Sequence, residues 1–255
     1  MLEPLVPARP NPAAANVIYH GLVRPALRRQ FHRVWVRVDG PLPRPVDGPL
    51  LAYANHPSWW DGFAAMLIDR ELLRRRYRGY VMVDQEQLRR YRFFRWCGAF
   101  SVDRQRPRSA LASVRYASDL LAGATDRALW IFPQGELRPN DLRPITVQSG
   151  LARIALATPG VQLWPVAMRY EFGHEQRPEL FLRVGPAHRA GGGPVSQLVA
   201  DLAARLTRAV DGLRDQVVTG DRTGFEPLLA GRPGINQRWD RIRGLSPSRP
   251  ERRSG

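Results

Sequence analysis

Leu50-Leu51-Ala52-Tyr53-Ala54-Asn55-His56-Pro57-Ser58-Trp59-Trp60-Asp61 passes from an unbroken apolar run, through a short polar loop, into the beginning of an apolar helical pattern. Leu50 to Ala54 reads as a buried strand. Pro57 disfavours helical geometry at His56, and Ser58 is placed to cap a helix starting near Trp59, which puts Asp61 in its first turn. His56 therefore stands in the loop leaving a sheet edge, where reactive groups are commonly displayed. An intact helix would set residues five apart at about 140° around its axis, whereas a turn between them can bring imidazole and carboxylate together. Such a carboxylate holds the ring tautomer and raises its basicity, the requirement for a general base acting on a hydroxyl. The same residues also read as a capping Asp and a surface His beside a turn.

Outward from this stretch, short apolar runs predict strands near 34–38, 79–83, 99–102, 128–132, 161–168 and 180–184 as well as 50–54. Helical patterns fall near 59–73, 86–96, 108–123, 148–157 and 195–214; in the last, Val195, Leu198, Val199, Leu202, Leu206, Val210 and Leu213 recur at helical spacing. The alternation predicts an α/β fold, a single domain with a central mixed sheet flanked by helices. That domain is expected over 16–230. Residues 1–15, rich in Pro and Ala, and 231–255, rich in Arg and Pro, read as flexible tails.

Asn16 to Trp35 carries Val17, Ile18, Leu22, Leu27, Phe31 and Trp35 among Arg24, Arg28, Arg29 and Arg33, with Pro25 predicted to kink it. This composition suits an amphipathic helix docked in a lipid interface and equally a helix covering the sheet. No uninterrupted apolar run exceeds the six residues Phe63 to Ile68, far short of the about 20 that a membrane span needs. The expectation is a protein that lies on a membrane without crossing it.

The chain has 255 residues, 44% of them hydrophobic, and a formal charge of +16 from 39 basic and 23 acidic side chains, every basic one an Arg. Without Lys, neither a Walker-type phosphate loop nor a pyridoxal Schiff base can be built. The positive charge attracts polyanions, whether nucleic acid, an anionic membrane leaflet or an acidic carrier protein. The single Cys97 forms no internal disulfide, and the N-terminus lacks the apolar core of a secretory signal, so a cytoplasmic location is the default. The five His residues show no close ligand spacing, so no metal is expected, and nothing else implies a bound cofactor.

Four ordered blocks resemble the glycerolipid acyltransferase family that includes the bacterial 1-acylglycerol-3-phosphate acyltransferases. They are Asn55-His56-Pro57-Ser58-Trp59-Trp60-Asp61, Gly98-Ala99-Phe100-Ser101-Val102-Asp103-Arg104, Phe132-Pro133-Gln134-Gly135-Glu136-Leu137-Arg138 and Trp164-Pro165-Val166. The resemblance implies that His56 deprotonates an acceptor hydroxyl, that Asp61 orients it, and that the hydroxyl attacks an acyl thioester directly. Cys97 then need not be a nucleophile. Arg104 is implied as a ligand of acceptor phosphate, a role that suits a planar guanidinium. Phe132, Pro133, Gln134, Gly135 and Arg138 are implied as substrate-binding, with backbone amides of the loop approaching phosphate or oxyanion.

The third block departs from the family, whose usual Glu-Gly-Thr is here Gln134-Gly135-Glu136. Gln134 keeps shape and hydrogen bonding without charge. Glu136 puts a negative charge near the expected phosphate, with Arg138 placed to neutralise it. The expected reaction is acyl transfer from acyl-CoA or acyl carrier protein to a lysophospholipid such as 1-acylglycerol-3-phosphate. An acceptor hydroxyl on a glycolipid or glycosylated pigment is the alternative. Trp59, Trp60, Phe93, Phe94 and Trp96 suit an acyl channel, a headgroup layer or plain core. The expected location is the cytoplasmic face of the cell membrane, peripheral or monotopic. A nucleic-acid-binding reading rests only on Arg interleaved with aromatics at 89–95 and leaves the four blocks unexplained, so no nucleic-acid partner is expected. A noncatalytic lipid-binding relative would more naturally have lost His56 or Asp61.

Overall fold

A computed structural model of the chain describes residues 4–232. Its centre is an eight-stranded mixed sheet in the order β4-β3-β5-β2-β6-β7-β1-β8. The strands are β1 (Arg33–Val38), β2 (Leu50–Ala54), β3 (Arg78–Asp84), β4 (Ala99–Val102), β5 (Arg127–Ile131), β6 (Gln162–Glu171), β7 (Glu179–Val184) and β8 (Phe225–Ala230). From β4 to β6 every neighbouring pair is parallel, so the carboxyl ends of five adjacent strands share one edge. β6 and β7 pair antiparallel, as do β1 and β8, and β1 runs parallel to β7.

Alternation along β2 explains why its whole length is apolar. Leu50, Ala52 and Ala54 pack into the core on one face, Leu51 and Tyr53 into the core on the other, and all five are fully buried. One face is covered by α1 (Pro12–Ile18), α2 (Arg24–Gln30) and α3 (Asp61–Leu67); the other by α5 (Pro107–Ala122), α6 (Ser149–Ala157) and α7 (Val195–Val218). α4 (Gln85–Arg90) and the 3₁₀ turn Arg92–Cys97 flank the β4 edge. In α7, Leu198, Leu202, Leu206, Val210 and Leu213 form the buried stripe, as their spacing predicts.

Two expectations are corrected. The segment from Asn16 does not present its apolar face outward as a single docking helix. Tyr19, Val23, Leu27 and Phe31 are buried against the sheet, while Val17 and Leu22 are exposed. Trp35 lies in β1, within the strand expected over 34–38. Pro25 cannot donate to the helical ladder, and the wider π turn Tyr19–Val23 immediately before α2 accommodates it. Residues 4–15 are not a loose tail: Val6 is buried and its N–H donates to Ser101 Oγ at 2.9 Å, and Asn11 caps α1. Packing on the β4 edge overrides their Pro-rich composition. The Arg/Pro-rich end expected over 231–255 lies, from residue 233, outside the described residues.

β8 is the element that the sequence pattern misses. Pro227 interrupts it, which argues against a central strand, but at a sheet edge proline is tolerated. The pairing with β1 is irregular at Val34/Trp35, beside the Pro227 contact.

Candidate functional site

The shared carboxyl edge of the parallel strands is where open α/β sheets place their ligands. It delivers His56 just past β2, Arg104 past β4, Phe132 to Gly135 past β5, Asp84 at the end of β3 and Tyr170 near the end of β6. A cavity of about 1160 Å³ opens there and reaches both faces of the sheet. On one face Ala65, Met66 and Asp69 of the α3 segment line it; on the other, Val114 of α5 and Ile154 of α6 do so. Trp59, Leu111 and Leu137 line it while being half or more exposed, so they mark its mouth.

His56 and Asp61 do meet. Asn55 holds the start of the turn, donating to Met168 O and accepting from Met168 N–H, both at 2.8 Å. The chain then folds back so that Ser58 N–H donates to Asp61 Oδ2 at 2.9 Å and His56 Nδ1 lies 2.7 Å from the same oxygen. The other carboxylate oxygen accepts from Tyr170 Oη–H at 2.6 Å. Asp61 is completely buried, and burial pushes its carboxyl above the ordinary value while the His56, Tyr170 and Ser58 donors pull it back. Burying a carboxylate without such donors would be costly, so the three bonds are what keep it usable as an anion. With Nδ1 bonded to Asp61, Nε2 is the ring nitrogen left for a substrate proton. The ring stacks on Phe132 at 4.5 Å between centroids, which limits its rotation.

The β5 loop fits against this turn. Gln134 is buried, and its Oε1 accepts the His56 backbone N–H at 2.7 Å; Arg138 N–H donates to His56 O at 2.8 Å. Phe132, Pro133 and Gly135 line the cavity with Arg104. Gln134 and Arg138 do not; they brace the backbone of His56 from behind. Gly135 has φ of 78°, and a Cβ there would come 2.7 Å from Arg104 Nη1, so glycine both permits the turn and leaves room for the guanidinium. Arg104 is half exposed, with Asp84 at 4.0 Å. Arg138 is paired to Glu136, so the displaced carboxylate meets the arginine expected to neutralise it.

Tyr170 is a site residue that sequence reasoning missed. It lies 109 positions from Asp61, and its only local signal is its position a few residues beyond Trp164-Pro165-Val166. Arg153, exposed at the cavity rim, was also missed; it is the charged member of the otherwise apolar Leu151–Ala155 run. Of the aromatics, Trp59 and Phe94 line the cavity, Trp60 packs edge-on to Phe31, and Trp96 is half exposed. Cys97 lines the cavity with its thiol pushed up to about 11 by burial, so it stays protonated near neutrality.

A family model described as Acyltransferase matches residues 35–169, a span that contains all four blocks. Among solved structures, the chain is similar to the 1-acyl-sn-glycerophosphate (LPA) acyltransferase, PlsC, from Thermotoga maritima, with 16% sequence identity and a TM-score of 0.48, over 80% of this chain and 82% of that one. No curated protein matches it.

Proposed function

The chain belongs to the acyltransferase family, and from that premise we propose that it moves a fatty acyl group from a thioester to a hydroxyl of a lipid acceptor, with His56 as general base and Asp61 as its orienting partner. The observation that carries this reading is the hydrogen-bonded His56–Asp61 pair at the mouth of a largely apolar cavity. His56 Nε2 takes the hydroxyl proton as the oxygen attacks the thioester carbonyl. The C–S bond then breaks, and the same proton passes from His56 to the leaving thiolate. The imidazolium formed in between is stabilised by the Asp61 carboxylate. The apolar cavity walls suit the acyl chain.

The acceptor is a lysophospholipid such as 1-acylglycerol-3-phosphate. Arg104, beside Gly135 at the cavity, supplies a cation for its phosphate. Glu136 is the feature that favours the second reading, a glycolipid hydroxyl, because it sets an anion near the same position; its pairing with Arg138 offsets that charge. Acyl-CoA or acyl carrier protein is the donor, both being anionic partners for a chain of charge +16. Trp59, Leu111 and Leu137 dock the cavity mouth on an anionic membrane surface, and no helix among the described residues is long and apolar enough to cross one.

The test is transfer of a radiolabelled acyl group from acyl-CoA and from acyl carrier protein to lysophospholipids and hydroxylated glycolipids, comparing native protein with His56→Ala. Labelled lipid from the native protein alone supports the reading and identifies the acceptor. No labelled lipid from either donor would sink it.

A further inference from the structure

The inner wall of the cavity carries a carboxyl group that the proposed chemistry does not use. Asp69 sits in the π turn Ile68–Leu72 that continues α3, and it lines the same cavity as His56. Its Oδ1 accepts from Trp130 Nε1–H at 2.9 Å. Asp69 is partly buried, and it lines the cavity. Room for the carboxyl is built into β3: a Cβ at Gly79 would stand 2.5 Å from Asp69 Oδ2. Burial raises this carboxyl to about 7, against the Trp130 bond and the charge of Arg70, which lower it. Whether protonated or ionised, it is a hydrogen-bonding group in a chamber that Ala65, Met66, Val81 and Ala99 also line.

Asp61 and Asp69 are eight positions apart on one helical segment, which places Asp69 about 12 Å further along the axis at about 1.5 Å per residue. Ala65 and Met66 line the cavity between them. An acyl chain with its thioester carbon at His56 and its tail along this face meets Asp69.

We propose that Asp69 is a specificity-determining residue of the acyl chamber: it selects against plain alkyl chains long enough to cover it and in favour of chains that carry a hydroxyl at its depth. A methyl or methylene pressed against Asp69 strips Oδ2 of hydration and returns no hydrogen bond, whereas a hydroxyl replaces the lost partner. Leaving a buried polar group unpaired in this way corresponds to about a tenfold to hundredfold loss of kcat/KM. The inference rests on the acyl-transfer reading of the site.

The experiment measures kcat/KM for the native protein and for Asp69→Leu with plain acyl thioesters of increasing length and with hydroxyacyl thioesters substituted at successive positions. For the native protein the plain series should fall at the length that reaches Asp69, and a distal hydroxyl at that depth should restore it about tenfold or more. Asp69→Leu should flatten the length profile and abolish the gain from the hydroxyl, while Asp69→Asn, which keeps hydrogen-bonding atoms, should retain that gain. Identical length profiles for native protein and Asp69→Leu, or no hydroxyl preference in the native protein, would overturn the proposal while leaving acyl transfer standing. Should Asp69→Leu fail to fold, the native series decides alone. Absence of transfer from every thioester would overturn the acyl-transfer reading and this inference together.

Discussion

The turn after β2 and the loop after β5 meet at the same cavity, but they are held in different ways. From Asn55 to Asp61 the polar groups are tied to neighbours: Asn55 to Met168, Asp61 to His56, Ser58 and Tyr170, and the His56 backbone to Gln134 and Arg138. The β5 loop is braced at its base by Gly135 N–H to Phe132 O and Gln148 N–H to Pro133 O, yet its tip, Glu136 to Arg138, meets solvent, with Leu137 half exposed. A base must hold its proton geometry through every turnover, so a fully bonded turn suits it. Recognition of the acceptor tolerates a more open loop, and that is where this chain departs from the family pattern. On the proposed function, the first region carries the chemistry and the second the choice of acceptor.

Asp61→Asn should break the first region most severely among changes that keep His56. An amide at 61 can present its NH₂ to Nδ1 and turn the ring to the wrong tautomer, lowering kcat by on the order of 10² with little effect on KM; steady-state kinetics would show it. Gly135→Ala, at φ 78° and against Arg104, should raise acceptor KM about tenfold while leaving donor KM unchanged. An equal effect on both substrates would contradict the division between the loops.

Tyr170→Phe should lower kcat by about tenfold and stability by about 1–3 kcal/mol, because Asp61 Oδ1 loses its donor while remaining buried. The same bond lowers the Asp61 carboxyl, so its removal should raise that group further and move the acid limb of the kcat profile to higher pH. An unmoved limb in a folded variant would count against Tyr170 as a positioning residue. Glu136→Gln should change acceptor KM by only a few-fold, improving phosphate-bearing acceptors relative to uncharged ones at low salt.

A control lies under β2, outside both loops. His188 packs edge-on to Tyr53 and is lowered to about 4 by burial. An imidazole depressed in the folded state contributes stability above its unfolded value of about 6.5 that is lost as pH falls toward about 4. His188→Leu should therefore flatten the decline in Tm across that window with the smallest effect on kcat.

The legible parts of the site are those whose neighbours are close in sequence. Leu50 to Asp61 contains the strand, the turn residues and both members of the proposed catalytic pair, so its geometry follows from local rules. Arg104 and the Phe132–Gly135 loop came with the family resemblance, and the sheet edge brings them to the same cavity. Tyr170 was invisible because its bond to Asp61 depends on the register of β6 beside β2, which single-sequence periodicity does not specify. Gln134 reads as a binding residue, yet its side chain turns inward to the His56 backbone, an orientation decided by packing. The apolar face from Tyr19 to Phe31 fits lipid or core equally in composition, and only the position of the sheet beneath it resolves the choice.

The central claim is that His56 removes the acceptor proton. Release of free thiol from an acyl thioester, followed with and without lipid acceptor in native protein and in folded His56→Ala, tests it most directly. The account predicts acceptor-dependent release that falls by about 10² to 10⁴ in the variant. Equal acceptor-dependent rates in the two proteins would contradict it.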